Sequence, residues 1–139
     1  MSEVTIYTDG GARGNPGPAG AGAVVYRGKK KIADVSEFLG IQTNNWAEYE
    51  ALILALEAAR VSLGSPVREK VMVSMDSELV VRQMKGEYRV KNPELKTKYA
   101  KVLALIAESF PHISFSHVPR EENKEADALA NDAMDRDSY

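Results

Sequence analysis

A chain of 139 residues, 44% hydrophobic and 27% charged, has the balance of one folded domain over residues 1–139 rather than of a disordered or fibrous chain. The absence of cysteine excludes disulfide frameworks, thiolate zinc sites and cysteine nucleophiles, and no apolar run approaches the length of a membrane span. Formal net charge is −2, so overall electrostatics select no polyanionic partner, and the first residues carry neither a basic nor an apolar signal region; a cytoplasmic, monomeric protein is the expectation.

Val4-Thr5-Ile6-Tyr7-Thr8 is β-branched and aromatic and runs into Asp9-Gly10-Gly11, which predicts a strand that stops at a turn. Gly14-Asn15-Pro16-Gly17-Pro18 is turn chemistry, Ala21 to Tyr26 resumes as a second strand, and Arg27-Gly28 turns it into a third, Lys31 to Leu39. From Asn45 the period becomes helical, with Leu52, Ile53, Leu56 and Ala59 on one face; Asn45 is the predicted N-cap and Glu48 its capping-box partner. This helix ends near Gly64-Ser65-Pro66. Val71 to Met75 reads as a short strand ending in Asp76, and Ser77 to Met84 as a helix. Pro93, after Asn92, suits the first turn of a helix through about Glu108, stopped by Pro111. His112 to Val118 reads as the last strand. Glu122 to Met134 reads as the last helix, with Ala126, Leu129, Ala130, Ala133 and Met134 on one face and Asp135 to Tyr139 as a frayed tail. The order βββαβααβα predicts an α/β sheet, antiparallel on its hairpin side and parallel where helices cross over.

Several acids are misplaced for a core. Asp9 and Asp76 each end an apolar strand, where sites of open α/β sheets lie. Glu48 shares a helical face with Leu52, Ala55, Leu56 and Ala59, and that face should pack on the sheet, where an uncompensated carboxylate is costly. Asp127 falls in the first turns of the last helix between Ala126 and Leu129. A single such Asp is ordinarily a turn or cap residue. Four gathered by the sheet would repel one another and demand counter-charge, and an oxygen-only set selects hard cations such as Mg²⁺ or Mn²⁺; with only His112 and His117 available, zinc is disfavoured. The glycine-rich stretch matches neither nucleotide-binding glycine pattern, so it is either a turn or a place where backbone amides at Gly10 and Gly11 approach a sugar-phosphate chain. Arg82 to Lys101 holds seven basic residues against two acidic, +5 locally and −7 elsewhere, which reads either as a nucleic-acid-facing patch or as a solvated helix face.

Taken together, Asp9-Gly10-Gly11 with Gly14-Asn15-Pro16-Gly17-Pro18, Thr43-Asn44-Asn45-Trp46-Ala47-Glu48, Met75-Asp76-Ser77, and His117 with Asn123 and Ala126-Asp127 resemble the ribonuclease H type 1 family. The resemblance runs from Val4 to Met134. It implies a ribonuclease H-like fold, a five-stranded mixed sheet with helices on both faces, and an endonuclease that cuts the RNA strand of RNA–DNA hybrids, leaving 5′-phosphate and 3′-hydroxyl ends, with no membrane partner. It further implies that Asp9, Glu48, Asp76 and Asp127 are the catalytic carboxylates holding two Mg²⁺ ions, Mn²⁺ being an alternative, with Asp9 touching both and Glu48 also accepting from the RNA 2′-hydroxyl. His117, ten residues before Asp127, matches a mobile histidine that shuttles protons or helps product leave, and Arg120 shares or replaces that role. Asn15, Thr43, Asn44 and Asn45 resemble residues that hold phosphates and sugars, although Thr-Asn-Asn is also good helix-capping chemistry. Ile41-Gln42 carries no charge where some relatives have a basic residue, and Glu78 stands where relatives carry a substrate-binding amide. The stretch from Ser77 to Asn92 is too short for the basic helical protrusion of some relatives, which leaves substrate grip to Arg82, Lys85, Arg89 and Lys91. Two competing readings are a DNA-cutting resolvase or integrase-like nuclease on the same fold, disfavoured by the Thr-Asn-Asn and Gly-Asn-Pro motifs, and a non-catalytic nucleic-acid-binding module.

Overall fold

Residues 3–137 are described by a computed structural model. The strands are β1 (Val4–Ala12), β2 (Gly17–Arg27), β3 (Lys30–Gln42), β4 (Val71–Met75) and β5 (Ile113–His117). The helices are α1 (Asn44–Leu63), α2 (Glu78–Met84), α3 (Pro93–Ser109) and α4 (Lys124–Arg136), with one 3₁₀ turn at Arg120–Glu122. The sheet order is β3-β2-β1-β4-β5, antiparallel from β3 to β1 and parallel from β1 to β5. This is the mixed sheet predicted, with α1 and α3 on one face and α4 on the other.

Val4, Ile6 and Thr8 alternate inward on β1 and are fully buried, and Val71, Val73 and Met75 do the same on β4. Leu52, Ile53, Leu56 and Ala59 of α1 close over them. Complete burial of a Leu or Ile removes enough apolar surface from water to contribute about 1.5–3 kcal/mol each. The burial of α1 is wider than the single predicted stripe: α3 packs on it as well as the sheet, and Tyr49 and Ala51 are also fully buried. Tyr49 donates from its hydroxyl to Gln83 Oε1 at 2.6 Å, tying α1 to α2.

Three sequence expectations change. β1 does not stop at Asp9: Asp9 to Ala12 stay extended because they pair with Gly22 to Ala19 of β2, and only the parallel pairing with β4 ends there, at Thr8 opposite Met75. The cap of α1 is Thr43 rather than Asn45, its Oγ1 accepting from Trp46 N–H at 3.2 Å, so Glu48 takes no part in a capping box. The last helix starts after the 3₁₀ turn and runs on to Arg136, so Asp135 and Arg136 are helical rather than frayed, while Ser138 and Tyr139 lie outside the described residues.

Glycines set how near the helices come. A Cβ on Gly10 would sit 2.2 Å from Ala47 O of α1, and on the opposite face a Cβ on Gly22 would sit 2.0 Å from Ala126 O of α4. Both clashes are with helix backbone, which has no rotamer to escape into. Gly10→Ala and Gly22→Ala are each expected to lower stability by about 3 kcal/mol or more, the upper range for overpacking. Gly11→Ala is the control, since its Cβ would meet nothing nearer than Asn44 Oδ1 at 3.8 Å. Urea unfolding midpoints check this, and equal losses at all three positions would refute it.

Candidate active site

The site begins where the parallel ladder ends. Thr8 and Met75 are its last paired residues, so Asp9, still within β1, and Asp76, just past the end of β4, stand side by side where that ladder ends. Asp9 stands directly opposite Gly22 and therefore faces α4, whose close approach delivers Asp127 into hydrogen-bonding contact with the Asp9 carboxyl. From the other face, α1 presses against Gly10 and brings Glu48, only 8% exposed, within reach of that glycine's backbone; Gly10 N–H donates to Glu48 Oε1 at 2.7 Å. Carboxylate oxygens of Asp9, Glu48 and Asp76 all lie within 4.8 Å of one another.

These groups line a cleft of about 510 Å³, with Asp127, Gly10, Gly11, Asn44, Asn45 and Arg120 around them. The electrostatic cost of the cluster falls on the two most enclosed acids. Burial pushes the Asp9 carboxyl up to about 9, reinforced by Glu48, by the hydrogen bond with Asp127 and by Asp76. Burial likewise pushes Glu48 up to about 8, opposed by the Gly10 N–H, Ser77 and Arg120 and reinforced by Asp76. A set of oxygens that resists carrying its full negative charge fits a bound hard dication, which would supply the missing positive charge. No nitrogen or sulfur donor competes within the group.

The loops around the cleft are stitched by amides. Asn15 Oδ1 accepts from Asn44 N–H at 3.1 Å, and Asn44 Oδ1 accepts from Ala12 N–H at 2.8 Å, locking the β1–β2 loop onto the start of α1. Asn15, Thr43 and Asn45 line a smaller depression beside the cleft together with Asn92 and Glu94. Asn123, fully enclosed, donates from Nδ2 to Thr8 O at 2.9 Å, while its backbone carbonyl accepts from Asp127 N–H at 3.1 Å, so one residue sets Asp9 and Asp127 in relation.

Other predicted site residues fall farther out. His117 pairs in register with Met75 but is exposed at the end of β5 and does not line the cleft, whereas Arg120, on the 3₁₀ turn, does. Glu78 is exposed on α2 and paired with Arg82 at 3.3 Å instead of facing the cleft. Arg82 is further paired with Glu87 at 3.0 Å and lies over the Tyr88 ring. Lys85, Arg89 and Lys91 are exposed, and Arg89 lines a separate depression with Tyr88, Lys96 and Tyr99. Ser77, Arg13 and Asn131 also line the cleft, although the motifs do not mark them as site residues. Ser77 is recognisable in the chain as a helix cap, but its hydrogen bond to Glu48 spans a separation no local pattern encodes.

Carboxylates from three strands and helices converging on the carboxyl edge of this sheet define a ribonuclease H-like site. The family described as reverse transcriptase-like matches residues 7–133. LC11-RNase H1, isolated from compost, superposes with a TM-score of 0.94 at 50% identity, both chains being covered in full; its structure in complex with RNA/DNA hybrid matches with the same TM-score at 49% identity, covering 99% of this chain and 100% of that one. The bifunctional protein Rv2228c of Mycobacterium tuberculosis is 48% identical over 135 residues, 96% of this chain, and the chain spans 36% of its length. Ribonuclease HI of Halobacterium salinarum is 43% identical over 133 residues, 95% of this chain and 64% of that protein. The chain belongs to the type 1 ribonuclease H family.

The raised carboxyls give the metal-free protein a defined pH response. Between the ordinary carboxylate range near 4 and the values of about 8 and 9, the native state holds protons that the unfolded state has released, so stability falls as pH rises through that window. Asp9→Asn removes the main contributor. Its melting temperature should exceed that of the wild type by about 4 °C or more at pH 9, roughly the effect of 1 kcal/mol in a domain of this size, and the gap should close towards pH 5. Mg²⁺ should raise the wild-type value and leave the mutant nearly unmoved. Calorimetry in chelator and in Mg²⁺ reads all three; a gap independent of pH would remove the repulsion described.

Proposed function

We propose that this protein is an endoribonuclease that hydrolyses the RNA strand of RNA–DNA hybrids with divalent cations held by Asp9, Glu48, Asp76 and Asp127. The observation that carries this reading is the convergence of Asp9, Glu48 and Asp76 oxygens within 4.8 Å in a chain 49% identical to a relative whose structure is in complex with RNA/DNA hybrid. Two Mg²⁺ ions held by these carboxylates would supply the water activation and the leaving-group stabilisation.

The chain's own residues do the rest. Gly10 N–H and Ser77 hold Glu48 in one orientation, and a carboxylate can accept more than these two bonds, so Glu48 also accepts from a ribose 2′-hydroxyl, the group that separates RNA from DNA. Water oxygen adds to phosphorus as the bond to the 3′-oxygen breaks, leaving 5′-phosphate and 3′-hydroxyl ends. Arg120 lines the cleft and its guanidinium fork matches phosphate oxygens, so it stabilises phosphate charge at the rim; His117, exposed at the end of β5, is left as the residue that assists proton transfer or product release. Asn15 and Asn44 use their side-chain oxygens on backbone N–H groups, which aims their amide nitrogens at acceptors such as phosphate and ribose. Lys85, Arg89 and Lys91 supply the outer grip.

A labelled RNA–DNA hybrid should be cut with Mg²⁺ and left intact in excess chelator, with duplex DNA of the same sequence resistant. Asp9→Asn and Asp76→Asn should each slow cleavage by at least about 10³-fold while remaining folded, the scale of losing preorganised charge stabilisation. His117→Ala should cost less, at or below the 10²–10⁴-fold typical of one acid–base group. Cleavage that survives chelation, or near-normal turnover in either Asp variant, overturns the reading.

Combined Lys85→Ala, Arg89→Ala and Lys91→Ala changes should raise KM and leave kcat and the metal requirement nearly unchanged, because these side chains touch the backbone away from the cut. Each phosphate that goes unneutralised should flatten the slope of log K against log salt by roughly 0.7–0.9. Unchanged affinity and slope would make the segment an ordinary solvated surface.

A further inference from the structure

Arg13 lies in the β1–β2 connection just beyond Asp9 and lines the same cleft as the carboxylates. Its backbone is fixed. The N–H donates to Pro18 O at 2.9 Å, and Gly17 packs so closely behind it that a Cβ there would sit 2.1 Å from Arg13 O. Its side chain instead reaches across the mouth of the cleft to α4, where one guanidinium nitrogen donates to Asn131 Oδ1 at 3.3 Å and another pairs with Asp135 Oδ1 at 2.6 Å. The two members of that ion pair are 44% and 63% exposed, so water screens the attraction and the pair exchanges readily.

Among the described residues lining this cleft, the cations are Arg13 and Arg120, set against Asp9, Glu48, Asp76 and Asp127. A nucleic-acid strand entering there brings one more negative charge with every phosphate. A guanidinium offers a planar fork that matches two phosphate oxygens, whereas Asp135 engages it through a single oxygen. We propose that Arg13 is a substrate-gripping residue of the cleft, resting on Asp135 and Asn131 in the free protein and transferring to a backbone phosphate of the strand that enters. Asp135 competes with the substrate for Arg13 and so sets the affinity of the cleft. This rests on the hybrid-cleaving function proposed above.

The two ends of the pair then have opposite effects. A clasp that only fastened the loop to α4 would be broken equally from either side, and both variants would shift KM in the same direction. As a phosphate grip, Arg13→Ala should raise KM for hybrid about tenfold, the scale of one charge-assisted hydrogen bond, and flatten the salt slope by roughly 0.7–0.9. Asp135→Asn should lower KM by about two- to fivefold, because it releases an exposed ion pair. Arg13→Lys should fall between wild type and Arg13→Ala. Asp132→Asn makes the same charge change on the exposed side of α4 without touching Arg13 and should leave KM nearly where it was.

Steady-state cleavage over a salt series, with melting temperatures to show that each variant is folded, reads these effects. Shifts of the same sign for Arg13→Ala and Asp135→Asn, no shift for either, or an equal shift for Asp132→Asn would overturn the grip. A wild-type protein that leaves hybrid uncut would instead overturn the function itself, an outcome recognisable because there is then no KM to compare.

Discussion

Two helices touch this sheet backbone to backbone, and the carboxylate cluster exists only because they do. At Gly10, α1 comes so near that no side chain fits between strand and helix, and at Gly22 and Gly20 the same is true of α4. The near approach turns Glu48 into a hydrogen-bond acceptor for the strand itself and carries Asp127 up to Asp9. Neither acid belongs to the strands that bear Asp9 and Asp76, so the site is a product of layer spacing as much as of sequence position. A sheet with alanine at those points would keep its topology and hold its acids apart.

That spacing works against the folded state. Burial, reinforced by neighbouring like charges, lifts Asp9 and Glu48 far above the ordinary carboxylate range, and the chain answers with hydrogen bonds that orient the acids without neutralising them. Gly10 and Ser77 hold Glu48, and Asn123 bridges β1 to the first turn of α4. Stability is surrendered at the site and recovered in the apolar layer between the sheet, α1 and α3. An array of this kind is organised before any cation arrives, so little rearrangement is required on binding.

Much of this is legible in the chain. Strand β4 is read to the residue from Val71 to Met75, the Asn92-Pro93 start of α3 is correct, and the helical face holding Glu48 with Leu52 and Leu56 does pack inward. Local rules fail where a distant partner wins. Asp9-Gly10-Gly11 looks like a turn, but β2 offers a ladder that keeps it extended. Asn45 and Glu48 fit a capping box, but Gly10 N–H is the stronger claim on that carboxylate and leaves Thr43 to cap the helix. The partners of Arg82 are hidden in another way: Glu78 and Glu87 lie close by in sequence, yet counting charge over the whole segment conceals that they occupy one of its cations.

The distribution of the remaining cations follows from the same geometry. Arg82 lies over Tyr88, and Lys98 is held by Glu50 at 2.6 Å over the Trp46 ring, so in the free protein both brace the surface formed by α1, α2 and α3. Lys85, Arg89 and Lys91 remain exposed on the connection between α2 and α3. With no protrusion between these helices, the positive charge available to a polyanion is spread from that connection, past the amide-lined depression of Asn15, Thr43 and Asn45, to Arg13 and Arg120 at the cleft. A dispersed set of single cations binds mainly through released counterions and carries little sequence information, whereas the amides and Glu48 stand where a ribose hydroxyl could be sensed. Under the proposed function, discrimination and grip therefore fall to different residues, and salt should weaken the grip without altering which strand the carboxylates address.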